Sequence, residues 1–88
     1  MEWEQVRKKY PEKLVVFKIL REHKEEQKLL VDELIVIQVF NINNLNNAFN
    51  YYRQVKHKYN NNEISLADTR NKELSYNVKY IVSVLKKD

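Results

Sequence analysis

Two short stretches decide the fold, Leu14-Val-Val-Phe-Lys-Ile-Leu20 and Leu34-Ile-Val-Ile-Gln-Val-Phe40. Both are rich in β-branched and aromatic residues and have the length of a strand. In the first, Leu14, Val16 and Leu20 share one face with Lys18, and Val15, Phe17 and Ile19 share the other. In the second, Leu34, Val36 and Phe40 share a face with Gln38, and Ile35, Ile37 and Val39 lie opposite. Strands apolar on both sides belong in a sheet covered on both sides. Between them, Arg21–Leu34 is built of helix formers, and Leu30, Leu34 and Ile37 are spaced for one helical face. A long hairpin is the preferred reading, because a charged loop is flanked by two apolar runs. It places Asp32-Glu33 at a bulge or a solvent-facing kink.

Outward from this hairpin the pattern alternates between helix and strand. Trp3, Val6 and Tyr10 recur at helical spacing within Glu2–Lys9, and Pro11 ends that helix by forcing Tyr10 toward extended geometry. Over Asn44–Tyr59, Leu45, Ala48, Phe49, Tyr52, Val55 and Tyr59 form a continuous apolar stripe. Asn43 or Asn44 suits the N-cap, Asn60 suits the left-handed residue after the helix, and Arg53, Lys56, His57 and Lys58 crowd the end that the helix dipole makes favourable to cations. Glu63–Thr69 reads as a third strand with Ile64 and Leu66 on one face, and Arg70–Glu73 as a turn. Leu74, Tyr76, Val78, Tyr80, Val82 and Val84 then alternate as in a strand. A helix with Leu74, Val78, Ile81 and Leu85 on one face competes for the same segment. The expected fold is therefore α+β over residues 1–88 as a single domain. It comprises a short N-terminal helix, a β-hairpin, one amphipathic helix and a second β-hairpin. Its four-stranded sheet carries the helix on one face through Phe49, Tyr52, Val55 and Tyr59.

Composition excludes more than it assigns. The chain has 88 residues, 43% hydrophobic and 32% charged, with no cysteine and no glycine. No disulfide or thiolate site can form, and phosphate loops or nucleophile elbows that depend on glycine backbone are ruled out. Eleven asparagines, most of them in Asn41–Asn50 and Asn60–Asn62, are expected to take glycine's place in turns. The net charge of +4 is uneven. Residues 1–40 balance eight Lys/Arg against eight Asp/Glu, whereas residues 41–88 set eight against four, which suits an acidic partner or nucleic acid. Met1-Glu2-Trp3-Glu4 is acidic and precedes no apolar run, so no signal peptide is expected. Leu34–Phe40 falls far short of the roughly 18 apolar residues that would span a membrane, so the expected compartment is the cytoplasm.

Few residues suggest chemistry. His23 lies among Glu22, Lys24, Glu25 and Glu26, carboxylates that could orient an imidazole, but no second His or Cys stands at ligand spacing. His57 neighbours Arg53, Lys56 and Lys58 on the polar side of the helix. Asp68, Arg70 and Glu73 could form a ligand clamp or a surface ion pair, and Thr69 has no partner for a triad. His57, Arg70, Tyr76 and Lys79 are the groups a small toxin-like ribonuclease would use. No catalytic residue, metal or cofactor is assigned. The polar helix face of Asn46, Asn50, Arg53, Gln54, His57 and Lys58 is the candidate nucleic-acid surface, since Asn, Gln and Arg read base edges and Lys and His meet phosphate. A homodimer is expected as well. One helix covers one sheet face, so Val15, Phe17, Ile19, Ile35, Ile37 and Val39 are left as a candidate interface.

Trp3, Tyr10-Pro11 followed by Val15-Val16, the strand end Ile37-Gln38-Val39-Phe40, Ala48 and Tyr52, and Thr69-Arg70 with Glu73-Leu74 together resemble a family of small uncharacterised bacterial proteins. The resemblance implies an α+β sheet with one helix and carries no assigned activity. The function expected is a non-enzymatic binding or regulatory module acting through protein contacts, with nucleic-acid binding as the alternative and the ribonuclease third.

Overall fold

The computed structural model describes residues 1–59 and 63–77. Helix α1 (Trp3–Lys9) leads into strand β1 (Lys13–Glu25), strand β2 (Lys28–Asn41), a single 3-10 turn at Ile42–Asn44, helix α2 (Leu45–Tyr59) and strand β3 (Ile64–Asp68). The three strands form an antiparallel sheet with β1 in the middle. Ser75–Asn77 (β4) runs beside the far end of β2, opposite Lys28–Leu30. The rest of the strand expected over Leu74–Leu85, from residue 78 on, lies outside the described residues, as does Asn60.

The hairpin reading of Arg21–Leu34 holds. Glu25 faces Lys28 across a two-residue turn, and the register slips around Arg21 so that Asp32 is skipped. Asp32-Glu33 thus sits at an irregularity in the ladder, where the charged pair meets solvent. A second slip, between the pairs Val16–Gln38 and Phe17–Val36, leaves Ile37 as an extra residue. This bulge breaks the period of two. Leu34, Val36 and Val39 pack on the α1 side, whereas Ile37 and Phe40 pack on the α2 side. Strict alternation had assigned Ile37 to the face of Val39. A bulge inserts one residue and reverses the parity beyond it.

Both faces of β1 are covered within the chain, which corrects the expected one-sided cover. Val15, Val16 and Phe17 have no solvent exposure. On one side Trp3 and Val6 of α1, with Leu74, close over Val15, Phe17 and Leu34. The rings of Trp3 and Phe17 stand 6.2 Å apart. On the other side Val55 of α2 meets Val16 and Ile64, with Tyr51 and Tyr52 packed around them.

The second hairpin is also corrected: β3 pairs with β1 and β4 with β2, so they lie at opposite edges. The connection between them crosses the α1 side and is fastened there. Trp3 Nε1–H donates to the Asn71 carbonyl at 2.9 Å, and Arg7 Nε–H donates to that of Thr69 at 3.0 Å. The Thr69 hydroxyl donates to the Tyr10 carbonyl at 2.7 Å and accepts from the Lys13 N–H at 2.9 Å. A seven-residue helix is only about 10 Å long, so this strap supplies the cover that α1 cannot.

Among the described residues no asparagine takes a left-handed turn position, and the chain has no glycine to do so. Among the described residues, Glu12 (φ 51°) and Glu26 (φ 58°) take left-handed backbone, which costs a residue with a Cβ about 1–2 kcal/mol. Replacing Glu26 by Gly should stabilise the protein by about 0.5–1 kcal/mol in a urea titration, the strain relieved exceeding the entropy glycine adds to the unfolded chain. Glu26→Val should destabilise it. For the strap, Thr69→Val keeps the shape but leaves the partly buried Tyr10 carbonyl and Lys13 N–H without the hydroxyl they share, a loss of about 1–3 kcal/mol. Thr69→Ser should restore most of that loss in the same titration.

Candidate functional site

Helix α2 rests on the sheet through Ala48, Tyr51, Tyr52 and Val55. Tyr51 packs against Phe40 with ring centroids 5.6 Å apart. The contact face is thus turned toward Tyr51 from the stripe read in the sequence, and Leu45 and Phe49 rotate out to 55% and 47% exposure. Phe49 is consequently not a core residue, contrary to the sequence reading. Its ring lies 6.0 Å from that of Tyr52, and the Arg53 guanidinium stands 5.8 Å from its centroid.

This rotation opens a groove of about 860 Å³ between α2 and β3. Leu14, Leu45, Phe49 and Leu66 give it an apolar lining, with Asn46, Asn50, Arg53 and Asp68 as polar groups. Asp68 is held by Arg70, whose Nε–H donates to Oδ1 and Oδ2 at 3.1 and 3.0 Å and whose backbone N–H donates at 2.8 Å. That pairing keeps the Asp68 carboxyl below the ordinary carboxylate range. The Asp68–Arg70 pair is a turn lock of the commoner kind, and the bonds to Asp68 involve no Glu73. Arg53 has no carboxylate partner among the described residues, and the segment Leu45–Tyr59 contains no Asp or Glu.

All six residues of the proposed nucleic-acid face, Asn46, Asn50, Arg53, Gln54, His57 and Lys58, are exposed on α2. Asn50, Arg53, Gln54 and His57 share a shallow depression. Of the six expected interface residues, Val15 and Phe17 are taken up inside the chain, and Ile19 and Val39 pack on the α1 side. Ile37 packs under α2, and Ile35 is 51% exposed. They do not form one surface, because α1 and the strap occupy the face they were expected to share. Nor are the ribonuclease candidates gathered. Arg70 follows β3, Tyr76 belongs to β4 at the opposite edge, and Lys79 lies outside the described residues.

His23 is on β1 rather than in a loop. Its Nδ1 lies 2.7 and 2.8 Å from the Asp32 carboxylate oxygens, and its Nε2 lies 3.4 Å from Glu25. Both ring nitrogens face carboxylates, so the arrangement favours an imidazolium clamped between two strands and not a metal ligand set. Among the described residues no group of three or more His, Cys, Asp and Glu is placed to hold a metal. Also among them, no helix is long and apolar enough to cross a membrane. No family model, curated protein or solved structure matches the chain.

The bond to Asp32, followed by that to Glu25, raises the His23 pKa above its ordinary 6.5. The sign follows from linkage: the clamp contributes fully below pH 6.5 and is lost as pH rises through the raised folded value. An NMR titration of the His23 ring should show that raised midpoint in the wild type. In Asp32→Asn it should drop back toward 6.5.

Proposed function

We propose that this chain is a small non-enzymatic cytoplasmic module that acts through protein–protein contacts, and that the α2–β3 groove is its contact surface. One observation carries the reading: Leu45 and Phe49 stand half exposed beside the groove although the helix has inward positions for apolar residues. Apolar side chains gathered at the rim of a groove mark interaction surfaces. In extracts of the source cell, the wild-type chain should capture partner proteins that a Leu45→Ser, Phe49→Ser double variant loses. Both substitutions are at exposed positions, so thermal unfolding should change little. Equal capture by both chains would overturn the reading.

A second reading rests on the acid-free helix α2, whose exposed side presents Asn46, Asn50, Arg53, Gln54, His57 and Lys58. If it holds RNA or DNA, log K must fall linearly with log salt in a titration with generic RNA and DNA. Charge reversal at Arg53 and Lys58 should then abolish binding, and reversal at Lys8 and Lys9 should not. The homodimer is a further form of the protein-contact reading. It requires a species heavier than 10.8 kDa in sedimentation equilibrium near micromolar concentration.

A further inference from the structure

The two edges of the sheet are treated differently. At the β2 edge, Leu34 exchanges backbone hydrogen bonds with Met1, at 2.7 and 2.8 Å. The Val31 N–H donates to the Leu74 carbonyl, and β4 covers Lys28–Leu30. The bulge at Ile37 disrupts that strand further along. Coverage and bulges are the usual ways of blunting a strand edge. Among the described residues nothing pairs with the outer edge of β3, its pairing with β1 has no register shift, and Ile64-Ser-Leu-Ala-Asp68 contains no Lys or Pro. The Ile19 N–H donates to Glu63 and the Thr69 N–H donates to Lys13. Odd-numbered positions therefore face β1, and Ile64, Leu66 and Asp68 turn their backbone groups outward. The Asp68 carbonyl accepts from Asn71. The backbone groups of Ile64 and Leu66 and the Asp68 N–H meet no further strand among the described residues.

Resting on the protein-contact reading, we propose that the ligand of the groove is an extended, acidic and apolar segment of a partner protein, which adds to β3 as an outer strand. Main-chain bonds to Ile64 and Leu66 supply register, and alternate side chains of the segment point up beneath α2. There Leu45, Phe49 and Leu66 take apolar groups, and Arg53 takes a carboxylate. Charge selects this occupant over a second copy. Pairing β3 with β3 would bring together two α2 helices that each carry Arg53, Lys56 and Lys58 and no acid, and like charges in apposition disfavour a contact.

The test is selection of a displayed random heptapeptide library on the full chain, followed by titration of the winning peptide in solution. The winners should alternate apolar residues with at least one Asp or Glu and should shift the amide signals of Ile64 and Leu66. Arg53→Glu, an exposed change that spares the core, should weaken binding about tenfold. Leu66→Pro removes an outward N–H that an edge strand does not need for folding and should abolish binding, whereas Leu66→Ala should only reduce it. If the proline variant unfolds by circular dichroism, Arg53→Glu decides alone. Basic winners, or affinity indifferent to Arg53, would overturn the proposal. So would a wild-type dimer that Leu66→Ser or Arg53→Glu alters, since the occupant would then be a second copy. Loss of the peptide result with partner capture through Leu45 and Phe49 intact would reject this ligand and leave the protein-contact reading standing.

Discussion

Val15, Val16 and Phe17, three consecutive residues of β1 without solvent exposure, impose the constraint on which the other elements depend. Successive side chains of a strand point to opposite faces. Burying three in a row therefore demands cover on both sides of a sheet, and the described residues hold two α-helices to provide it. α2 meets the demand on one side. On the other, α1 is too short, and the segment after β3 is drawn across to finish the layer, ending in Leu74. The hydroxyl of Thr69, 2% exposed, is the joint. It bonds to the main chain on both sides of the Pro11-Glu12 turn and so ties α1, the start of β1 and the strap into one unit.

That strap also decides the topology. A tight turn over Arg70–Glu73 would have returned the chain beside β3. The bonds from Trp3 and Arg7 to Asn71 and Thr69 instead carry it over the sheet to the β2 edge. Two consequences reach the surface. The β2 edge gains backbone partners, and among the described residues no strand meets the outward groups of the β3 edge beside the groove. The groove itself arises from the turn of α2 about its axis. Seating Tyr51 against Phe40 buries a larger ring than seating Phe49 would.

Charge is organised locally rather than globally. The distal hairpin ties its two strands with Arg21–Glu33 and with His23 between Asp32 and Glu25, all of them exposed pairs of modest worth. The β3 turn spends its acid on Arg70. α2, which has no acid of its own, is left as the cationic wall of the groove.

The existence and order of α1, β1, β2, α2 and β3 were legible in the sequence, because periodicity, Pro11 and the β-branched runs are local properties. So was the irregularity at Asp32-Glu33, since two adjacent charges within an apolar strand have few other places to go. The exposed polar face of α2 could be read as well, from spacing alone. The path of the strap over the α1 side to the β2 edge could not, and neither could three further features. The bulge at Ile37 reversed a strand's parity, and periodicity cannot register an inserted residue whose own side chain is apolar. Among the described residues the left-handed positions fell to Glu12, between α1 and β1, and to Glu26, in the β1–β2 hairpin, rather than to asparagine, because the geometry of each connection and not residue preference set the backbone there. The exposure of Leu45 and Phe49, and with it the groove, depended on which side of a wide apolar stripe met the sheet. A stripe broad enough to seat in two orientations does not specify one, and only packing against Phe40, Val16 and Ile64 chose between them.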